Sequence, residues 1–331
     1  MSDYDLSIII VNWNARDYLK PCLESIYAET NRLRLEICLV DNASHDGSAE
    51  MVEAEFPEVY VIRNLQNVGY AAANNQGLRW AKGKYVLLLN PDTVITDRAL
   101  ERLADFLEGR PRAAVVGPQL VSPEGRVQGG AAGYDPSLST VFNYHFFLNR
   151  LAPRRFRGLW LARGRYADPS PIQVDWVTGA CLMARGEAVH QVGGLDEGYF
   201  MYAEDMAWCA KMRAAGWEVY CLPTARVIHH IGVSARQQGS RFMARNIESL
   251  DRYYRSRYGA ATVAALHLIG AAGFGLRYIL AMLRQLRQGP LPAPESPALW
   301  RACLGASIRC LWHSARAPRN DALAERQAWR A

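Results

Sequence analysis

The sequence predicts an α/β protein built on a mostly parallel, doubly wound sheet, on three observations. Short apolar runs alternate with stretches of helical periodicity through the first third of the chain. The runs are continuous and rich in Val, Ile and Leu, as befits strands covered on both faces. Each run ends in a polar loop containing Asn or Asp, and a doubly wound sheet gathers such loops along one edge. With 331 residues, 50% of them hydrophobic, the chain can bury a sizeable core.

The elements follow in order. Leu6 to Val11 is the first strand, and Tyr18, Leu19, Leu23 and Ile26 fall at helical spacing after it. Glu36 to Val40 is the second strand, and Asp46-Gly47-Ser48 opens a helix over Met51 to Phe56. Val59 to Ile62 is the third. Asn67-Val-Gly69 then leads into a helix of small residues that ends near Gly83. Tyr85 to Leu89 is an apolar strand stopped by Asn90-Pro91, which leaves Asp92 on a loop, because proline cannot donate to a sheet and disfavours helix in the residue before it. Arg98 to Leu107 is an amphipathic helix. From Gly129 to Ser170 aromatics and arginines interleave without a period, with a short helix around Leu138 to Leu148. Regular structure resumes with Ile172 to Ala184, a short helix at Gly186 to Val192, a helix at Met206 to Ala215, and strands at Trp217 to Leu222 and Ala225 to His229.

Composition narrows the partners. A net charge of +6 admits a phosphorylated substrate, an anionic membrane surface or nucleic acid. The seven cysteines are scattered without metal-ligand spacing, which fits a reducing cytoplasm. Met1-Ser-Asp-Tyr-Asp passes straight into a strand without the features of a secretion signal, so the expected location is cytoplasmic.

The loops at successive strand ends hold what a nucleotide needs. Asp41 suits the imide N–H of a pyrimidine, Trp13 offers a stacking face, and Asp92 suits a divalent cation on a diphosphate. Taken singly, Trp13 reads equally well as a core aromatic and Asp41 as a helix cap. Farther on, Glu204 and Asp205 open a helix whose dipole favours negative charge, after the aromatic loop Tyr199, Phe200, Tyr202. They are either caps or a general base. His229 and His230 end an apolar strand, and either imidazole suits a second metal ligand.

In this order, Asn12-Trp13-Asn14, Asp41-Asn42-Ala-Ser, Asn67-x-Gly69 with Asn74, Asn90-Pro-Asp92, Gly-Gly-Leu-Asp196-Glu197, Glu204-Asp205 and His229 resemble the family 2 glycosyltransferases, and particularly the rhamnosyltransferase-like branch. These are inverting enzymes with a GT-A fold. The resemblance covers about Ser7 to Ser234. It implies a nucleotide-sugar donor, of dTDP-rhamnose or UDP-sugar type, held by Val11, Trp13, Asp41, Asn67, Gly69, Asn74 and Asn90. It implies Mn²⁺ or Mg²⁺ on Asp92 and His229, and catalysis by Asp205 with Glu204 beside it. A lipid-linked or polysaccharide acceptor is expected around Trp176, Gly179, Ala180, Asp196, Glu197 and Tyr202. Two positions depart from the pattern: Asn90 replaces the first acid of the DxD motif, and Ala207 stands where relatives often carry another aspartate.

The expected organisation is a transferase domain over 1–235, with a donor-binding half at 1–120, a basic and aromatic insertion at 129–170 and an acceptor and catalytic-base half at 171–235. A helical extension follows over 236–331. Ala260 to Leu283 is expected either as an interfacial or hairpin-like contact with an anionic membrane, on its cytoplasmic face, or as a helix buried on the domain or in a homodimer. A nucleotidyltransferase or dehydrogenase is disfavoured because no Gly-x-Gly-x-x-Gly follows the first strand. A non-catalytic nucleotide-sugar-binding or scaffold protein is the remaining alternative. No nucleic acid is expected.

Overall fold

The computed structural model describes residues 3–230, 240–292 and 296–314. The end of the resemblance at Gly232 to Ser234 and the last part of the expected helical extension, from Ala315, lie outside them. The described chain divides into two compact units: residues 1–133, 163–200 and 204–234, and residues 134–162, 201–203 and 235–331.

The first unit is the predicted α/β layer structure. Strands β1 (Leu6–Asn12), β2 (Leu35–Asp41), β3 (Tyr60–Arg63) and β4 (Tyr85–Leu89) pair in parallel, β2 and β4 flanking β1 and β3 taking the edge. Register puts Asn12 opposite Asp41 and Asp41 opposite Arg63, so the polar loops do end side by side. Helices α1 (Arg16–Glu29), α2 (Ser48–Glu55) and α3 (Tyr70–Trp80) make the crossovers. Leu6, Ile8 and Ile10 pack in one core with Leu19, Cys22, Leu23 and Ile26 of α1.

The rest of the sheet departs from simple alternation. Its order is β3-β2-β1-β4-β10-β6-β11-β5, with β8 paired to β11, where β5 is Thr93–Ile95, β6 Ala113–Val121, β8 Ile172–Val174, β10 Cys181–Arg185 and β11 Glu218–His229. Strand β10 runs antiparallel between β4 and β6, and β5 runs antiparallel to β11. The two strands expected at Trp217 and Ala225 are one continuous strand with a register shift between Leu222 and Arg226, where Pro223 has no N–H to contribute. Two short strands, β7 (Ala132–Gly133) and β9 (Trp176–Val177), form a separate pair. Helix α4 (Ala99–Glu108) precedes β6, while α7 (Gly186–Val192) and α8 (Glu204–Ala214) fall where the sequence places them.

The second unit holds α5 (Leu138–His145), the short α6 (Leu148–Leu151) and three C-terminal helices, Ser240–Arg257, Ala260–Gln288 and Pro297–Ser314. Ala260–Gln288 is one unbroken helix of 29 residues, which excludes a hairpin there. At Gly273 the missing side chain admits a neighbouring helix: a Cβ there would meet His145 at 2.4 Å. Arg277 on this helix is nearly buried. It donates to the carbonyls of Tyr144, His145 and Gly273 and lies over the rings of Tyr144 and Phe147. The fixed guanidinium fork suits such a site.

Two helical glycines carry opposite predictions. On α3, a Cβ at Gly77 would meet Ile9 Cγ2 at 2.4 Å, so the glycine lets α3 sit directly on β1. Overpacking costs about 1–3 kcal/mol, against a gain of about 0.4–1 kcal/mol from the stiffer unfolded chain, so Gly77→Ala is expected to destabilise the protein. Gly275 faces open space, and Gly275→Ala is expected to stabilise it by about 0.4–1 kcal/mol. Chemical denaturation of the two variants checks the signs; stabilisation by Gly77→Ala would contradict the packing described.

Candidate active site

The first cluster forms at the carboxyl ends of β1 and β2. Asn12 Nδ2 lies 2.9 Å from Asp41 Oδ1, 3.0 Å from Ser44 Oγ and 2.7 Å from Ser48 Oγ. Asp41 Oδ2 accepts from the Ser44 N–H at 3.0 Å. The Asp41 carboxylate is thus 4% exposed and fixed in direction, with lone pairs left on both oxygens. Val11 is buried beside it and Trp13 is partly exposed on the following loop.

Amides extend this cluster. Asn64 Nδ2 donates to Asn42 Oδ1 and Gln76 Oε1, Gln76 returns a bond to Asn64 Oδ1, and Asn42 Nδ2 reaches the Gly69 carbonyl at 3.3 Å. Asn67 Oδ1 accepts the Gly69 N–H at 2.9 Å and turns the chain into α3. Gly69 has φ +90°, and a Cβ there would strike the Phe200 carbonyl at 2.7 Å; the Tyr70 N–H donates to that same oxygen. Only glycine meets both demands. Asn74 is wholly buried, its Nδ2 bonded to the Tyr70 carbonyl at 2.9 Å.

The second cluster surrounds Asp92. The β5–β11 pairing places Thr93 opposite His229, and His229 Nε2 lies 3.3 Å from Asp92 Oδ1. The His230 N–H donates to the Asp92 carbonyl at 2.8 Å. Gln128 sets the imidazole. Its Nε2 donates to the His229 carbonyl, which turns its Oε1 to His229 Nδ1 at 3.1 Å. An amide oxygen only accepts, so Nδ1 carries a hydrogen and Nε2 is the atom left facing Asp92. An imidazole lone pair and a carboxylate oxygen at this separation repel unless a proton or a metal cation lies between them. This donor pair therefore fits a divalent cation. Burial alone would raise the Asp92 pKa, but the hydrogen bond and charge of His229 outweigh it and hold the carboxyl below its ordinary value.

The third cluster adjoins the second through the two-residue segment Gly179-Ala180. The Asn90 N–H donates to the Ala180 carbonyl at 3.0 Å, while the Gly179 N–H donates to Asp205 Oδ2 at 2.9 Å. The Tyr70 hydroxyl donates to the Gly179 carbonyl at 2.8 Å. Gly179-Ala180 thus lies between the loop bearing Asp92 and the helix opened by Glu204 and Asp205. Asp205 Oδ1 also accepts the Met206 N–H at 2.7 Å. Burial raises the Asp205 pKa against these bonds. Glu204 is more strongly affected: burial first, and then the Asp205 charge, push it well above the ordinary range, and its Oε2 has no partner. Two adjacent carboxyls with unequal surroundings are thus shifted to different extents, Glu204 the more strongly.

The remaining candidates have their own partners. Trp176 is buried in β9. Asp196 Oδ1 accepts the Gly198 N–H at 2.9 Å, and Glu197, though exposed, meets Asn75 Nδ2 at 3.0 Å. Tyr202 groups with the second unit and has φ +72°. Three residues escaped sequence reasoning as members of the site. Asn12 and Asn75 were visible as strand-end and helix amides, but Gln128 stands 101 positions from its histidine in a stretch without a pattern. Asn75 exchanges bonds with both the N–H and carbonyl of Leu195, fastening the Gly193 to Glu197 loop.

Comparison with known proteins agrees with this geometry. Residues 7–159 match the glycosyl transferase family 2 model, and residues 85–311 match glycosyl transferase family group 2. The N-acetylglucosaminyl-diphospho-decaprenol L-rhamnosyltransferase of Mycobacterium tuberculosis is 29% identical over 297 residues, covering 86% of this chain and 94% of that protein. The rhamnosyltransferase WbbL of Escherichia coli is 24% identical, over 74% of this chain and 91% of its own. Among solved structures, the mannosyltransferase PcManGT from Pyrobaculum calidifontis, in complex with GDP-Man and Mn²⁺, superposes with a TM-score of 0.52 at 17% identity. It covers 98% of this chain and 79% of its own. With a family model spanning most of its length and the strand-end clusters in the order described, the chain belongs to the family 2 glycosyltransferases and is a glycosyltransferase with a GT-A fold.

Proposed function

We propose that this enzyme moves a sugar, of the L-rhamnose type, from a nucleoside diphosphate donor to a hydroxyl of a lipid-linked or polysaccharide acceptor, with inversion. The observation that carries the proposal is the two-residue segment Gly179-Ala180, whose Gly179 N–H holds Asp205 and whose Ala180 carbonyl holds the Asn90 loop of the Asp92–His229 pair. The rhamnosyltransferase names of two full-length relatives favour that sugar, and the first of them favours a lipid diphosphate acceptor.

The roles follow from the chemistry of each group. Asp41 and Trp13 hold the base of the donor, and Asn67, Gly69 and Asn90 shape the cleft along the sheet edge. Asp92 and His229 hold Mn²⁺ or Mg²⁺, which when bound neutralises charge on the leaving diphosphate. Asp205 takes the proton of the acceptor hydroxyl as its oxygen bonds to the anomeric carbon and the bond from that carbon to the diphosphate oxygen breaks. The N–H groups of Gly179 and Met206 keep that carboxylate aimed. Glu204 retains its own proton, which leaves the negative charge on Asp205. In the second unit Ile279, Leu280, Met282, Leu283 and Leu286 are exposed beside Arg284 and Arg287, a surface suited to an anionic membrane on its cytoplasmic side.

Asp205→Asn is expected to lower kcat by about 10²–10⁴-fold while donor affinity stays unchanged. Because the base acts ionised and its pKa is raised, the wild-type rate should climb with pH through a range above that of ordinary aspartates. Single-turnover transfer assays across pH check both points, and an Asn variant that kept most of its rate would remove Asp205 from the mechanism. For the metal pair, Asp92→Asn is expected to weaken Mn²⁺-dependent nucleotide binding by about 10–100-fold in calorimetry. Equal affinity in wild type and variant would contradict the assignment of Asp92.

A further inference from the structure

The C-terminal helices hold a second group of metal-ligand side chains that the transfer reaction does not use. Asp251 comes from Ser240–Arg257, His267 from Ala260–Gln288 and Cys310 from Pro297–Ser314, and their ligand atoms all lie within 4.8 Å of one another. We propose that these three side chains bind one divalent cation of the zinc class and thereby fasten the three helices together.

The argument rests on donor chemistry and burial. His267 is 2% exposed and Cys310 5%, beside an apolar seam that contains Leu299, Cys303 and Ala306. His267 Nε2 lies 2.6 Å from Asp251 Oδ1, and the Arg255 guanidinium takes the other carboxylate oxygen at 2.6 Å. The imidazole and the guanidinium each engage one carboxylate oxygen, which leaves lone pairs on both. A thiol from a third helix stands with them. One nitrogen, one oxygen and one sulfur form a borderline-soft set suited to Zn²⁺. Donor atoms around tetrahedral zinc are separated by about 3.3–3.8 Å, so small side-chain rotations close the site, with water as a fourth ligand. Arg255 then acts on the metal-bound carboxylate from outside, as a fixing partner. A hard diphosphate-bound Mn²⁺ or Mg²⁺ has no need of sulfur, which sets this group apart in kind from Asp92 and His229. Among the described residues it is the one cluster of three such ligands.

The test uses Co²⁺ as a spectroscopic stand-in for zinc on the full-length, metal-stripped protein. One equivalent of Co²⁺ should produce a thiolate-to-cobalt charge-transfer band in the near ultraviolet, and one equivalent of Zn²⁺ should abolish it and raise Tm. Cys310→Ser should lose the band, and His267→Gln should weaken Co²⁺ binding by at least ten-fold, while each still circular-dichroically resembles the wild type. Asp92→Asn should leave the band intact, which separates this site from the proposed donor metal. Absence of the band in wild-type protein, or its persistence in Cys310→Ser, overturns the proposal.

Discussion

The meeting of Asp92 with His229 depends on a three-residue strand. β5 follows Asp92 immediately and pairs antiparallel with the end of β11, so the loop leaving β4 is drawn back against His229 and His230. Side chains from positions 92 and 229 then face each other across 3.3 Å. Without that pairing Asp92 would be a carboxylate on a surface turn, which is the ordinary fate of an Asn-Pro-Asp sequence. The register of the two strands is in turn held by their buried residues, since slipping one position would turn Ile95 and Val227 out of the core.

The strand-end clusters are fastened largely by backbone and amide groups. Asn12, Asn42, Asn64, Gln76 and Asn75 make hydrogen bonds between different elements of the first unit. Neutral amides position a carboxylate without compensating it, so Asp41 and Asp205 keep accepting capacity while their directions are fixed. Most Lys and Arg ion pairs among the described residues lie on the surface. Glu101 is a buried partner: the N–H groups of Asn31 and Arg32 and the guanidinium groups of Arg32 and Arg98 hold it against burial, bringing its pKa to about 2. It joins α4 to the turn before β2, away from the strand ends that carry the chemistry.

Much of this architecture is legible in the residues. Strands β1, β2 and β4 are read from their continuous apolar runs, because strands buried on both faces have no other composition open to them, while β3 at the edge is partly exposed and is read from its apolar run alone. The polar strand ends then follow from topology alone. β6 is also a buried run, Ala113 to Val121, but Gly117 and Pro118 interrupt it, and it went unassigned. The insertion of antiparallel β10 between β4 and β6 is not visible, since pairing direction depends on connections across the whole chain. Nor is Gln128, whose role exists only once β11 has brought His229 to it. The Ala260 to Leu283 stretch shows composition without context: a hairpin-like contact and a single helix are both open to it from the sequence, and the structure has one continuous helix in which Gly273 receives His145.

The central claim is that Asp92 and His229 address the diphosphate of a donor while Asp205 faces the sugar from the other side. A crystal structure of the wild-type enzyme with dTDP and Mn²⁺, with data collected at the manganese edge, tests it most directly. The account predicts an anomalous peak in contact with Asp92, His229 and the diphosphate, the base beside Asp41, and the Asp205 carboxylate opening onto the vacant sugar position. A nucleotide bound with its manganese remote from both Asp92 and His229, or with Asp205 sealed away from the diphosphate, would contradict it.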